Sequence, residues 1–243
     1  MLRLLTALTV IATCCLPPLP AAVGATVQEQ VPPTGLLATL MCERGELVFN
    51  DPMSEASMAA DWGGFMPGRW VFEPQAVRVS SEPGGHGPYR LRKLDLTDLV
   101  IQLDFRMDGA TTMGFGMDDE RGRHLLACHL SPSAVSLQRR ESVAEDRKDH
   151  QVDRANVKLA AKTWHTLVWE IHGTEMLATI DQETVLYGDA PGVDITKGSL
   201  TIFTTAAQDN WAWIAHVQAW KATLSPEWEA KKLKVLAYQR KRK

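Results

Sequence analysis

Apolar and polar positions alternate along residues 164–181 in two runs separated by a short break. Leu167, Trp169 and Ile171 alternate with Thr166, Val168, Glu170 and His172, and after Gly173-Thr174-Glu175 the residues Met176, Ala178 and Ile180 alternate with Leu177, Thr179 and Asp181. Two period-2 runs around a glycine-containing turn predict a β-hairpin. One face of it is apolar and the other mostly polar, as in a sheet covered on one side. Residues 185–188 follow as a short third strand. The longest alternating set is Leu99, Ile101, Leu103, Phe105 and Met107, opposite Val100, Gln102, Asp104 and Arg106. It predicts a central strand.

Similar short runs occur at residues 46–51, 69–73, 76–79, 113–117, 126–130, 135–137, 200–203 and 211–220. In the last of these, Trp213, Ala215, Val217 and Ala219 are expected to share one face. About twelve short strands separated by turn signals predict an all-β fold, a two-sheet antiparallel jelly-roll sandwich. Two helical pieces interrupt the pattern. Residues 54–60 predict one or two turns capped by Ser54. Ser225-Pro226-Glu227 opens a short C-terminal helix with Trp228, Lys232, Val235 and Leu236 on one side. Arg240-Lys241-Arg242-Lys243 is expected to be a solvated tail. Residues 139–162 are dense in charge and predict a long excursion between strands, with extended pairing at residues 157–160.

The ends of the chain set its organisation. In residues 1–25 Arg3 is the only charge, an apolar stretch follows, and Val23-Gly24-Ala25 suits cleavage, which reads as a signal peptide. Cys14 follows Thr13, a larger residue than a lipid-anchor motif favours. Residues 26–45 read as a linker, 46–222 as the sandwich and 223–243 as the helix with its basic tail. The mature chain carries no apolar run that could span a bilayer. It is expected to be secreted, periplasmic or held at the cell envelope.

Charge narrows the partners. Cleavage removes one of 26 basic residues and leaves 29 acidic ones, a net charge of −4. Residues 226–243 hold seven basic and two acidic residues, so the body before them stands near −9. A body that acidic argues against nucleic acid as partner. No cofactor is implied. Cys42 and Cys128 could pair in an oxidising compartment, but the sequence does not show that they meet. Without a Cys-x-x-Cys motif they do not suggest a structural zinc site.

Phe49-Asn50-Asp51, Trp62, Trp70, the strand at 98–106, Gly114-Phe115-Gly116, Trp164-His165-Thr166-Leu167, Gly173, Asp181 and Val217-Gln218-Ala219-Trp220 together resemble concanavalin A-like lectin/glucanase sandwiches. More narrowly, the chain is similar to planctomycete-type bacterial domains grouped with 3-keto-disaccharide hydrolases, and loosely to family 16 glycoside hydrolases. The resemblance implies a jelly roll whose concave sheet could meet sugars. Family 16 enzymes place acids at alternate positions of one strand, and retaining chemistry needs two carboxyls about 5–5.5 Å apart. Glu170 and Glu175 imitate that pattern, but His172 replaces the middle acid and Gly173 puts Glu175 in a turn.

The candidate ligand set is therefore Gln102, Asp104, Arg106, Thr166 and Glu170 on the polar face, with Trp62 and Trp70 near loops as stacking surfaces. A solvent-facing charge ladder would look the same. Trp211 lies near a loop too, whereas Trp164, Trp169 and Trp213 fit core patterns. His124 and His129 differ by an odd number and are expected on opposite faces of a strand, as are His165 and His172, so no metal site is predicted. Asp118-Asp119-Glu120 reads as an acidic hairpin turn rather than a calcium site. No Gly-x-Ser-x-Gly nucleophile motif and no phosphate loop is present. The expected function is glycan or envelope binding by an exported sandwich without catalytic machinery. A 3-keto-disaccharide hydrolase and a structural envelope protein are the alternatives.

Overall fold

The computed structural model describes residues 31–33, 35–82, 87–140, 149–207 and 209–242. The signal peptide expected at residues 1–25 lies outside them. The period-2 runs form strands β1 (Cys42–Asp51), β2 (Trp62–Met66), β3 (Arg69–Glu73), β4 (Ala76–Ser80), β5 (Tyr89–Leu96), β6 (Leu99–Asp108), β7 (Thr112–Asp119), β8 (His124–Ser131), β9 (Ala134–Arg139), β10 (His150–Asn156), β11 (Trp164–His172), β12 (Glu175–Ile180), β13 (Thr184–Asp189), β14 (Lys197–Thr205) and β15 (Trp211–Leu224). Helix α1 (Glu55–Asp61) sits between β1 and β2, and α2 (Trp228–Arg242) follows β15. Ser54 caps α1, its side chain accepting from the Ser57 N–H.

Two antiparallel sheets result. One has the order β13-β12-β11-β6-β15-β4-β3 and is completed to eight strands by β1 on β15; the other is seven-stranded, β10-β9-β8-β7-β14-β5-β2. Leu99, Ile101, Leu103, Phe105, Leu167, Trp169 and Ile171 face Met113, Phe115, Met117, Cys128, Leu200 and Ile202 across the sandwich, all essentially inaccessible. Removing this apolar area from water is the main driving force for the fold.

Three expectations are corrected. The pairing of β15 with β6 shifts register between Ala215 and Gln218, where His216 takes φ 48°. The extra residue reverses the alternation: Val217 and Ala219 enter the inter-sheet core, but Trp213 and Ala215 pack with Trp164 and Ala76 on the other side. Trp164 and Trp213 are therefore not inter-sheet core residues. The charged excursion contains a strand at β10, which pairs with β9, and residues 157–160 continue it outside any assigned strand, the Val157 and Leu159 N–H groups donating to the Ser133 and Pro132 carbonyls. The basic tail is helical to Arg242, whose guanidinium bonds Asp153 and the Val185 carbonyl. Cys42 and Cys128 are separate free thiols; Cys128 lies in the core, where burial pushes its pKa up to about 12.

Helix α2 lays Trp228 and Val235 on Val100, Val168, Leu177 and Tyr187, covering the outer face of the eight-stranded sheet together with residues 37–42. No helix among the described residues is long and apolar enough to cross a membrane.

Candidate functional site

The antiparallel register sets Thr166 of β11 opposite Asp104 of β6, so the polar set does converge on one face. The Thr166 hydroxyl donates to Asp104 Oδ1 at 2.6 Å, and His216 Nδ1 lies 2.9 Å from Oδ2. The chain itself, however, occupies most of these groups. Gln102 Oε1 accepts from the Leu37 N–H and from Arg44, each at 3.0 Å, and its Nε2 donates to the Gly35 carbonyl at 2.9 Å. Glu170 is 0 % exposed, and its carboxylate accepts the Leu40, Met41 and Cys42 N–H groups at 2.9, 2.8 and 2.6 Å. Burial raises its pKa, and those three bonds together with the charge of Arg44 oppose the rise.

Arg106 is buried between indoles, its guanidinium 4.2 Å from the Trp213 ring centre and 5.6 Å from that of Trp164, with Nη2 on Asp108 at 2.7 Å. It lines a mostly apolar cavity of about 240 Å³ with Val31, Pro32, Glu73 and Gln75. Trp62 is buried, and its indole N–H donates to Asp51, which also accepts from Arg92. Trp70 packs on the inter-sheet core, and Trp211 lies beneath Arg69 and Arg78. Glu175, the second member of the imitated acid pair, accepts from Tyr187, Trp228 and Lys232.

The outer face of the seven-stranded sheet is arranged differently. On β7 the outward positions are Gly114, Gly116 and Asp118, paired with Phe203, Thr201 and Ser199 of β14. A Cβ at Gly114 would stand 2.1 Å from the Phe203 ring, and one at Gly116 2.5 Å from Thr201 Oγ1. The two glycines thus let neighbouring side chains lie across the strand. Gly116 and Ala127 floor a depression of about 170 Å³ walled by Tyr89, Asp118, His124, Arg140, Thr201 and Phe203.

A register shift between Met117 and Asp118 sets His124 opposite Asp118 while His129 stays opposite Gly114. Both histidines therefore belong to this face, against the parity of their spacing. Asp118 is 3 % exposed; its Oδ1 lies 2.7 Å from His124 Nδ1, and its Oδ2 accepts from Tyr89 and Ser199 at 3.3 Å each. Arg140 Nη2 lies 3.0 Å from His129 Nε2, and Nη1 bonds Asp149. The His129 and Phe203 rings meet edge to face with centres 5.0 Å apart. A second depression of about 170 Å³, lined by His129, Ser136, Gln138 and Arg154 among others, continues the first across the Arg140–His129 pair.

The two histidines are tuned apart. The hydrogen bond with Asp118 raises His124, with burial opposing, the Asp118 charge assisting and Arg140 lowering. Burial and then the Arg140 charge pull His129 down to about 4. Near neutral pH, His129 is uncharged, whereas His124 keeps its proton to higher pH than an ordinary histidine. Because the folded pKa of His124 exceeds the unfolded one, the pair's stabilisation is complete below about 6.5 and is lost as pH rises through the folded value. An NMR titration is expected to place His124 above the ordinary histidine value and to show it falling in Asp118→Asn. An unchanged midpoint in that variant would remove the pairing.

No family model matches the chain, and no curated protein does. Solved structures do. The carbohydrate binding module CBM66 from Bacillus subtilis superposes with TM-score 0.52 at 11% identity, over 66% of this chain and 96% of that one. A Bacillus subtilis protein of unknown function with a galectin-like fold gives 0.58 at 13%, over 75% and 99%. The exoplasmic/lumenal domain of VIP36, in its Ca2+/Man3GlcNAc-bound form, gives 0.52 at 13%, over 73% and 91%. The fold is a galectin-like, concanavalin A-like sandwich. At these identities the likeness speaks for fold alone.

The face carrying Asp118, His124, Arg140 and Phe203 was missed in sequence because the spacing of the histidines hides the irregularity in β8. The available signal was Gly114-Phe115-Gly116 in a strand, which marks close approach to a backbone.

Proposed function

We propose that this protein is an exported glycan-binding sandwich and that sugar lies on the outer face of the seven-stranded sheet. The observation that carries the reading is the half-buried Phe203 ring beside Arg140, His124 and Thr201 over a floor of Gly116 and Ala127. A pyranose offers an apolar C–H face and a rim of hydroxyls. It needs an aromatic surface, hydrogen-bonding groups held in place, and a floor low enough to approach. Tyr89 and Ser199 hold Asp118, and Asp118 holds His124, so the ring meets a ligand without first losing rotamer freedom. Neighbours named as a carbohydrate binding module and as a Man3GlcNAc-bound domain support the reading at the level of fold. Export rests on the leader-like residues 1–25. The narrower 3-keto-disaccharide hydrolase reading rests on the sequence resemblance, and sugar release from a 3-keto-glycoside would be its test.

A glycan array probed with the purified chain, followed by calorimetry on the best ligand, tests the proposal. Phe203→Ala is expected to weaken binding about tenfold or more, the cost of truncating an aromatic contact at an interface centre, with an unchanged circular dichroism spectrum. Failure to retain any glycan, or equal affinity in the variant, would overturn it.

A further inference from the structure

We infer that the glycan recognised on this face is acidic, carrying uronate carboxylates along its chain; the inference rests on the glycan-binding reading just given. Its basis is the hydrogen-bonding inventory of the two depressions. Their charged lining residues are Asp118, His124, Arg140 and Arg154. Asp118 is the single acid among them, and it is buried with both oxygens engaged, so it presents no carboxylate to a ligand. What it does instead is hold the exposed His124 ring by Nδ1 and favour its cation. The lining therefore offers mainly donors: two guanidinium groups and the His124 ring, with Ser136, Gln138 and Thr201 between them.

A neutral sugar presents about as many donors as acceptors through its hydroxyls, and a site for it supplies acceptor carboxylates as well as donors. A uronate adds acceptors without donors, which is the complement of this face. The planar fork of Arg140 suits a carboxylate. Its present counter-ion, Asp149, is 44 % exposed in the side chain, an ion pair of the kind that contributes little and can be exchanged. Arg154, exposed on β10, stands along the second depression, so the cations are strung in a row rather than gathered at one point. Repeated charges on a polymer fit such a row. The remainder of the body is acidic, which makes this local excess of cations the more selective.

Affinity electrophoresis of the full mature chain in gels containing polygalacturonate, the same polymer with its carboxyls reduced, and a neutral mannan tests this. Retardation by polygalacturonate, at least tenfold weaker for the reduced polymer and falling with added salt, is the expected result. Arg140→Gln and Arg154→Gln are each expected to narrow the gap between charged and reduced polymer while leaving the circular dichroism spectrum and melting temperature in place. Equal retardation by charged and reduced polymers would overturn the acidic preference yet leave glycan binding standing. An unaltered gap in both variants would overturn the assignment to this face. No retardation by any of the three, with no hit on the glycan array, would remove the underlying reading itself.

Discussion

Glu170→Ala is expected to lower the free energy of unfolding by about 3–5 kcal/mol. Glu170 stands on β11, wholly buried, with Leu40, Met41 and Cys42 donating their backbone N–H groups to its two oxygens. Alanine leaves those donors facing a void where water does not replace the acceptor. Each unsatisfied buried donor costs about 1–3 kcal/mol. The loss extends beyond one residue, because residues 37–42 cover Val100, Val168 and Leu177 from that anchor. Glu170→Gln keeps the volume and one acceptor oxygen, and is expected to recover part of the loss. Urea denaturation supplies the numbers, and amide exchange at residues 40–42 should rise in the alanine variant before global unfolding. Its pH dependence has a defined sign. Burial holds the folded pKa above the ordinary glutamate value, so stability linked to this group is greatest below that value and declines as pH rises through the folded one. The slope should vanish with the carboxyl. Glycan binding on the opposite sheet should survive; a loss under 1 kcal/mol would show that the segment is held by something else.

The same residue shows where period-2 reading reaches and where it stops. Alternation in residues 99–107 and 164–181 places Leu103, Phe105, Leu167 and Ile171 inward and Gln102, Asp104, Thr166 and Glu170 together on the other face. That much is local physics: successive side chains of a strand point to opposite sides. What covers the second face is not local. Glu170 is met by residues some 130 positions away, and nothing in the spacing of either segment announces the meeting. Two errors of facing have a single cause. One extra residue at His216 turns Trp213 away from the inter-sheet core, and an irregularity beside Asp118 turns His124 to the side of His129. Bulges change the parity on which every facing argument depends. They coincide here with the groups of most chemical interest, so the candidate site was less legible than the fold. Trp62 and Trp70 illustrate a milder limit: closeness to loops does not distinguish a rim tryptophan from a packed one.

Asp153→Ala is expected to cost a further variant about 3–5 kcal/mol, by leaving a guanidinium without its counter-ion in a largely buried site. Asp153 lies on β10, the edge of the seven-stranded sheet, where that sheet meets β13 at the edge of the other. The approach is tight enough that a Cβ on Gly188 would stand 2.3 Å from a Val152 methyl. Asp153 spans the seam: it accepts Arg242 Nη2 at 2.8 and 2.7 Å, Gln239 Nε2 at 2.6 Å and the Tyr187 N–H at 3.2 Å. Strand edge, strand edge and helix end therefore share one carboxylate. Without it, the last turns of α2 should exchange their amides faster, while the first turn, held by the buried Trp228, stays protected. Arg242→Met in the same background removes the orphaned charge, so the double variant should be more stable than Asp153→Ala alone, and an additive double-mutant cycle would refute the coupling. The consequence reaches the proposed site as well. Arg154 follows Asp153 directly and lines the second depression from the same stretch of β10. A loosened seam should therefore weaken acidic-polymer binding through Arg154 while leaving the contact with Phe203 on β14 intact.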